Sequence, residues 1–118
     1  MVKEHTFELP FPPSVNRYYR HVGPRVLISR EGRKFRMMVV SRLGEMGKLT
    51  GRLSLKVECF PPDRRRRDLD NIGKALLDAL QAAGLYDDDS QIKDLHLLMY
   101  ECVPPEGFIH ITLKELPE

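Results

Sequence analysis

Four consecutive arginines, Arg64 to Arg67, run straight into Asp68-Leu69-Asp70-Asn71. Four adjacent guanidinium groups cannot be desolvated together, so this segment must be a solvent-facing loop wherever the rest of the chain goes. Its flanks read clearly. Upstream, Leu53 to Cys59 alternates apolar and polar residues, the pattern of a half-buried strand, and Pro61-Pro62 ends it. Downstream, Ile72, Leu76, Ala79, Leu80 and Ala83 form an apolar stripe at helical spacing, with Gly84 as the natural terminator. The block is therefore a loop between a strand and a helix, with its two aspartates at the helix start.

That position carries chemistry as well as topology. A basic run alone indicates a solvated face or a polyanion-binding patch. An Asp-x-Asp pair indicates hard oxygen ligands for a divalent cation. Together they ask for an anionic substrate whose chemistry needs a metal, which is the profile of a nucleic-acid hydrolase. The competing reading is structural, since carboxylates cap free N–H groups at a helix start. Lys74 lies four residues after Asp70 on the same helical face, placed to neutralise charge on a phosphate beside a bound metal. Asp78, one turn on, is expected to extend the solvated face or to pair with Lys74.

After the helix come Asp87, Asp88 and Asp89. A helix from Asp70 to Gly84 is about 20 Å long, so this second acidic group starts at the far end from the first. To share one metal it must return along the next strand or arrive from a dimer partner; otherwise it is a solvated acidic turn. It is not an EF-hand, because Ile92 and Leu98 fall where glycine and a bidentate glutamate are needed.

The remaining segments complete the plan. His5 to Leu9 is strand-like, and the prolines of Phe11-Pro12-Pro13-Ser14-Val15-Asn16 rule out a helix there. Val26 to Ile28 reads as a short strand. Ser29 then N-caps a helix carrying Phe35, Met38, Val39, Arg42 and Leu43 at helical spacing, ending between Gly44 and Gly47. A strand runs from Ile92 to about Cys102, a turn covers Pro104 to Gly107, and Phe108 to Leu113 alternates as a final strand, pairing as a hairpin with the one before. The fold class expected is α+β: a small mixed sheet with two main helices packed on it, one domain over residues 1–118, small enough that dimerisation would help stability. A second basic segment, Asn16-Arg17-Tyr18-Tyr19-Arg20-His21, interleaves arginine with tyrosine, either for phosphate contacts and base stacking or as a free surface loop whose tyrosines pack on the core, and Arg25, Arg30, Arg33, Lys34 and Arg36 follow it.

With 118 residues, 42% hydrophobic and 31% charged, the chain has the composition of an ordinary globular protein. Its net charge of +2 means that nucleic-acid affinity must come from clustering. No apolar run reaches the ~20 residues of a membrane span, and the N-terminus lacks a signal-peptide core; a cytoplasmic protein with no membrane partner is expected. Cys59 and Cys102 read as reduced thiols. The four histidines show no zinc-ligand spacing.

Three motifs now coincide. Leu9-Pro10-Phe11-Pro12-Pro13-Ser14-x-Asn16-Arg17-Tyr18-Tyr19-Arg20-His21, then Pro62 to Asn71 with Lys74, Asp78-Ala79-Leu80 and Ala83-Gly84, then Asp88-Asp89-x-Gln91, together resemble the RusA family of Holliday junction resolvases, in order and at matching spacing. The resemblance implies a dimeric, Mg²⁺-dependent endonuclease, with Mn²⁺ as a substitute metal. Such an enzyme nicks four-way DNA junctions in symmetric pairs during recombination and repair, leaving 5′-phosphate ends. It implies Asp68, Asp70 and Asp89 as metal ligands and Lys74 as the catalytic lysine. Arg67 matches a basic residue used for DNA contact or catalysis; Arg64, Arg65, Arg66, Asn16, Arg17, Tyr18 and Arg20 are the further DNA contacts expected. Two rival readings differ in class: a branched-substrate nuclease without junction preference, and a non-catalytic DNA-binding protein whose aspartates only cap and solubilise. The second fits poorly, because carboxylates beside phosphate-binding arginines repel the ligand.

Overall fold

The computed structural model describes residues 3–44, 46–101 and 105–117. Element order is β1 (Lys3–Pro10), α1 (Val15–Tyr18), β2 (Tyr19–Val22), β3 (Arg25–Ile28), α2 (Arg30–Leu43), β4 (Leu53–Phe60), α3 (Leu69–Ala82), a 3₁₀ turn (Asp89–Gln91), β5 (Ile92–Met99) and β6 (Phe108–Glu115). This is an α+β domain with one mixed four-stranded sheet, ordered β1-β6-β4-β5, and a separate two-stranded hairpin, β2-β3.

The period-2 pattern of β4 does what it promises. Leu53, Leu55, Val57 and Cys59 are all buried on one face, joined by Leu9 of β1 and by Ile109, Ile111 and Leu113 of β6. Phe35, Val39 and Leu43 of α2, with Ile72, Leu76, Ala79 and Leu80 of α3, close over that face. Burial pushes the Cys59 thiol up to about 11, as for an inert core cysteine. Cys102 and Pro104 lie outside the described residues.

Ser29 caps α2 as expected, its Oγ accepting from the Gly32 N–H at 3.0 Å. A side chain at Gly32 would collide with the backbone carbonyl of Tyr18, so glycine there allows α2 to seat directly on α1. Gly84 ends α3 with φ +83°, a left-handed conformation that glycine adopts without cost. Arg42 departs from the expected apolar face of α2: it is exposed and donates to the Glu8 carbonyl at 3.2 Å.

Three expectations change. The proline-rich segment stays out of helix only as far as Ser14, itself extended; α1 forms a single turn from Val15 once no proline is left to block it. The basic-aromatic segment is not a free loop, since Tyr19 to Val22 pairs antiparallel with Arg25 to Ile28. Nor do β5 and β6 form a hairpin. β5 runs parallel to β4, while β6 lies between β1 and β4, antiparallel to both. Burial explains the choice. β6 alternates fully buried residues and takes the centre, whereas β5 is exposed along most of its length and suits an edge. The parallel β4–α3–β5 unit then uses the helix as its crossover.

Candidate active site

The loop from Asp63 to Asp68 is organised by Arg67. Its Nη1 reaches Asp63 Oδ1 at 2.9 Å and the carbonyls of Asp63 and Arg65 at 3.1 and 3.2 Å. Its guanidinium also lies 5.3 Å from the Phe11 ring centroid, a cation–π contact. Arg67, with the backbone N–H of Arg65, holds the Asp63 carboxyl at about 2, well below its ordinary 3.8. Arg67 is thus committed to the loop's own shape, and Arg64, Arg65 and Arg66 are the outward-facing members of the run.

Asp68 is the N-cap residue of α3, yet its side chain makes no capping hydrogen bond. Asp70 Oδ1 accepts only from its neighbour's backbone, the Asn71 N–H at 3.0 Å. The structural account of this pair as helix caps therefore fails for Asp68 and occupies only one oxygen of Asp70. Both are exposed, and Lys74 is exposed one turn further along α3.

A cleft of about 620 Å³ opens beside Asp68. One wall carries Arg65, Arg66, Arg67 and Asp68; the other carries Asn16, Arg17 and Lys34. Residues far apart in sequence thus meet across one groove, in which these cations are interleaved with Glu31, Asp63, Asp68 and Glu106. Arg20 lies on β2, exposed but outside this lining. Tyr18 does not fulfil the stacking role expected of it. It is fully buried, its hydroxyl donates to Asp78 and accepts from Arg36 Nε at 2.6 Å, and burial pushes that hydroxyl's pKa far up. A ring locked against three helices cannot stack on a base.

Asp78 is likewise not a surface partner of Lys74. It is half-buried and pairs with Arg36 Nη2 at 2.7 Å. Tyr18, Arg36 and Asp78 make one polar bridge joining α1, α2 and α3 beneath the cleft. Sequence reading missed it, because Arg36 looked like one more surface cation and no local spacing connects it to Asp78.

The acidic turn sorts into three environments. Asp87 pairs with Lys48 at 2.7 Å and Asp88 Oδ2 accepts from Ser90 Oγ at 2.7 Å. Asp89 Oδ1 lies 3.1 Å from the hydroxyl of the buried Tyr86, which also lies 2.8 Å from the Leu77 carbonyl. Gln91 mounts the turn on the body. Its Oε1 accepts from the N–H groups of Asp87 and Asp88, and its Nε2 donates to the carbonyls of Leu49 and Gly51 at 2.9 and 3.0 Å. Gln91 was quoted in a motif, but Tyr86 went unnoticed as a functional neighbour of Asp89. The only sequence signal was an aromatic residue just ahead of the acids.

Asp89 does return toward the first acidic pair, to the level of Leu77, about 10 Å along the helix axis from Asp70. Within one chain it stops there. Among the described residues no group of three or more His, Cys, Asp or Glu side chains is close enough to hold a metal. The donor chemistry nevertheless fits a hard cation: oxygen ligands only, at exposed carboxylates. Asp68 and Asp70 can supply part of an Mg²⁺ shell, which such a cation completes with waters and phosphate oxygens. Among the described residues no helix is long and apolar enough to cross a membrane.

The family model described as "Endodeoxyribonuclease RusA" matches residues 10–112. The chain is 40% identical to the crossover junction endodeoxyribonuclease RusA of Shigella sonnei, over 95% of each chain. It is 39% identical to the Escherichia coli K12 protein of that name, again over 95% of each, and 42% identical to that of Enterobacteria phage HK97, over 98% of each.

Proposed function

The chain belongs to the RusA family of endodeoxyribonucleases, and from that premise we propose how this fold resolves a four-way DNA junction. The enzyme is a homodimeric, Mg²⁺-dependent crossover junction endodeoxyribonuclease, acting in the cytoplasm during recombination and repair. The observation that carries the reading is the pair of exposed carboxylates at the start of α3, Asp68 in the lining of the arginine-rich cleft and Asp70 two residues on.

The residues divide the work. Arg64, Arg65 and Arg66, with Asn16, Arg17 and Lys34 across the groove, gather the phosphates of one junction arm. Arg67 holds the loop that presents them. Asp68, Asp70 and Asp89 are the metal ligands. When bound, the metal withdraws charge from the scissile phosphate and makes a water acidic enough to attack at neutral pH. Lys74 stabilises the negative charge that grows on the phosphate as the P–O3′ bond breaks. The products are a 5′-phosphate and a 3′-hydroxyl, ends that a ligase can rejoin.

The gap between Asp89 and the Asp68/Asp70 pair is closed by the dimer. β5 is a free sheet edge whose Leu95 and Leu98 are 43% and 40% exposed, and unpaired edges of this kind seek another strand. Its far end, Met99 to Glu101, borders the arginine loop, and Asp89 sits just before its start. Two copies of β5 paired antiparallel across a two-fold axis lay the start of one against the end of the other. The partner's Asp89 then approaches Asp68 and Asp70, and two such sites face the two opposed strands of a junction.

Heterodimers containing one Asp70→Asn chain and one Asp89→Asn chain test this directly. Sites shared between chains leave one intact site, so the heterodimer nicks a synthetic four-way junction once but does not make paired nicks. Sites built within one chain leave both broken and no nicking at all, which overturns the shared-site reading. Failure of the wild-type dimer to make paired nicks in Mg²⁺ overturns the resolvase reading itself.

A further inference from the structure

We propose that Tyr86 is a positioning residue for Asp89: its hydroxyl holds Oδ1 against α3 and so sets the direction in which the carboxylate meets the metal. The inference rests on the assignment of Asp89 as a ligand in the preceding subsection.

The argument begins with proton counting. The Tyr86 hydroxyl has one proton and two acceptors within reach, the Leu77 carbonyl at 2.8 Å and Asp89 Oδ1 at 3.1 Å. Leu77 lies inside α3, where the helix ladder already gives its carbonyl the N–H of Gln81. Asp89 Oδ1 has no other hydrogen-bond donor among the described residues. The proton is therefore of most use to the carboxylate, and hydrogen bonds to an ionised acceptor are roughly twice as strong as neutral ones.

The mount is rigid. Tyr86 is 1% exposed, its ring belongs to the core, and its place is set by Leu85 beside it, whose carbonyl accepts from the Leu49 N–H at 2.8 Å. The turn carrying Asp89 is fixed independently by the four Gln91 hydrogen bonds. With backbone and Oδ1 both held, the carboxylate keeps one orientation and Oδ2 stays open toward solvent. Asp87 and Asp88, on the same turn, have surface partners instead. This distinguishes Asp89 from its neighbours by what touches it, not by its charge.

The test is Mn²⁺ binding by calorimetry, without DNA, to wild-type dimer, Tyr86→Phe and Asp89→Asn. Removing the hydroxyl should weaken Mn²⁺ binding by about tenfold, the lower end for loss of a group that orients a ligand. The unfolding midpoint should fall by only about 5 °C. In cleavage assays the Mn²⁺ concentration at half-maximal rate should rise while the saturated rate is largely restored, a rescue that a folding defect does not give. The carboxyl ¹³C resonance of Asp89 in metal-free protein should also move in Tyr86→Phe, a readout available even if that variant is too unstable for calorimetry. Wild-type Mn²⁺ affinity and an unmoved resonance in Tyr86→Phe, with binding lost in Asp89→Asn, overturn the positioning role and leave the ligand assignment standing. Unchanged binding in Asp89→Asn overturns both.

Discussion

The two acidic regions flanking α3 hold their carboxylates in opposite ways. At the N-terminal end, Asp68 and Asp70 are exposed and nearly without partners, on a loop shaped by Arg67 rather than by the acids themselves. Beyond the C-terminal end, Asp89 is anchored to a buried tyrosine on a turn bolted to the body by Gln91. The first region leaves its carboxylates free to accept a metal and substrate; the second delivers one carboxylate in a fixed orientation. The site proposed to be shared between two chains would use both kinds. On that proposal the held carboxylate would supply geometry, and the open pair tolerance for the DNA that must enter.

The largest effect should come from the open pair. Asp70→Asn is expected to lower junction cleavage by at least about a hundredfold while leaving the fold intact, and Asp88→Asn on the other turn should change it little. Comparable losses from the two, measured as paired nicking in Mg²⁺, would erase the contrast between ligand and surface acid.

Next in size is the bridge beneath the cleft. Asp78→Asn leaves Arg36 and Tyr18 without their acceptor, which should cost about 2 kcal/mol of stability, measured by urea unfolding. Lys74→Ala, which touches none of this bridge, should leave stability unchanged. Equal unfolding midpoints for Asp78→Asn and wild type would show the bridge to be idle.

A smaller effect separates the arginines. Arg66→Ala should weaken junction binding and reduce the slope of log affinity against log salt by about 1, the signature of one lost phosphate contact. Arg67→Ala should lower thermal stability as well, because it dismantles the Asp63 loop. Identical salt slopes for Arg66→Ala and wild type would remove Arg66 from the interface.

The smallest effect is on acid stability. Because the folded-state pKa of Asp63 is depressed from 3.8 to about 2, its contribution is present above the unfolded value and is lost as pH falls through the folded one. Asp63→Asn should therefore flatten the decline in stability between about pH 4 and pH 2. Superimposable acid curves for the two proteins would contradict the Arg67–Asp63 account of the loop.

Much of this was legible one residue at a time. The alternation of Leu53 to Cys59, the stripe from Ile72 to Leu80, the Ser29 cap and the Gly84 terminator are local signals, and each stands where its spacing put it. The candidate ligands were visible because chemistry-bearing residues crowd two short segments. Strand order was not legible: β6 and β5 both look like strands, and only competition for the buried centre assigns β5 to the edge. Tyr18 and Arg36 were misjudged for the same reason. Residue type suggested stacking and surface charge, but a partner from α3 claimed both.

The sequence by itself determined which side chains can do the chemistry, because charge, hardness of ligand and helix capping depend on residue type and near neighbours. The tertiary structure alone decided which of them are spent. Arg67, Tyr18, Asp78, Asp87 and Arg65 are paired within the fold, while among the described residues Asp68, Lys74, Arg64 and Arg66 have no side-chain partner and Asp70 accepts only from the Asn71 N–H. Whether a polar group is available depends on whether folding brings it a partner, and for Tyr18, Asp78 and Asp87 such partners lie well away along the chain.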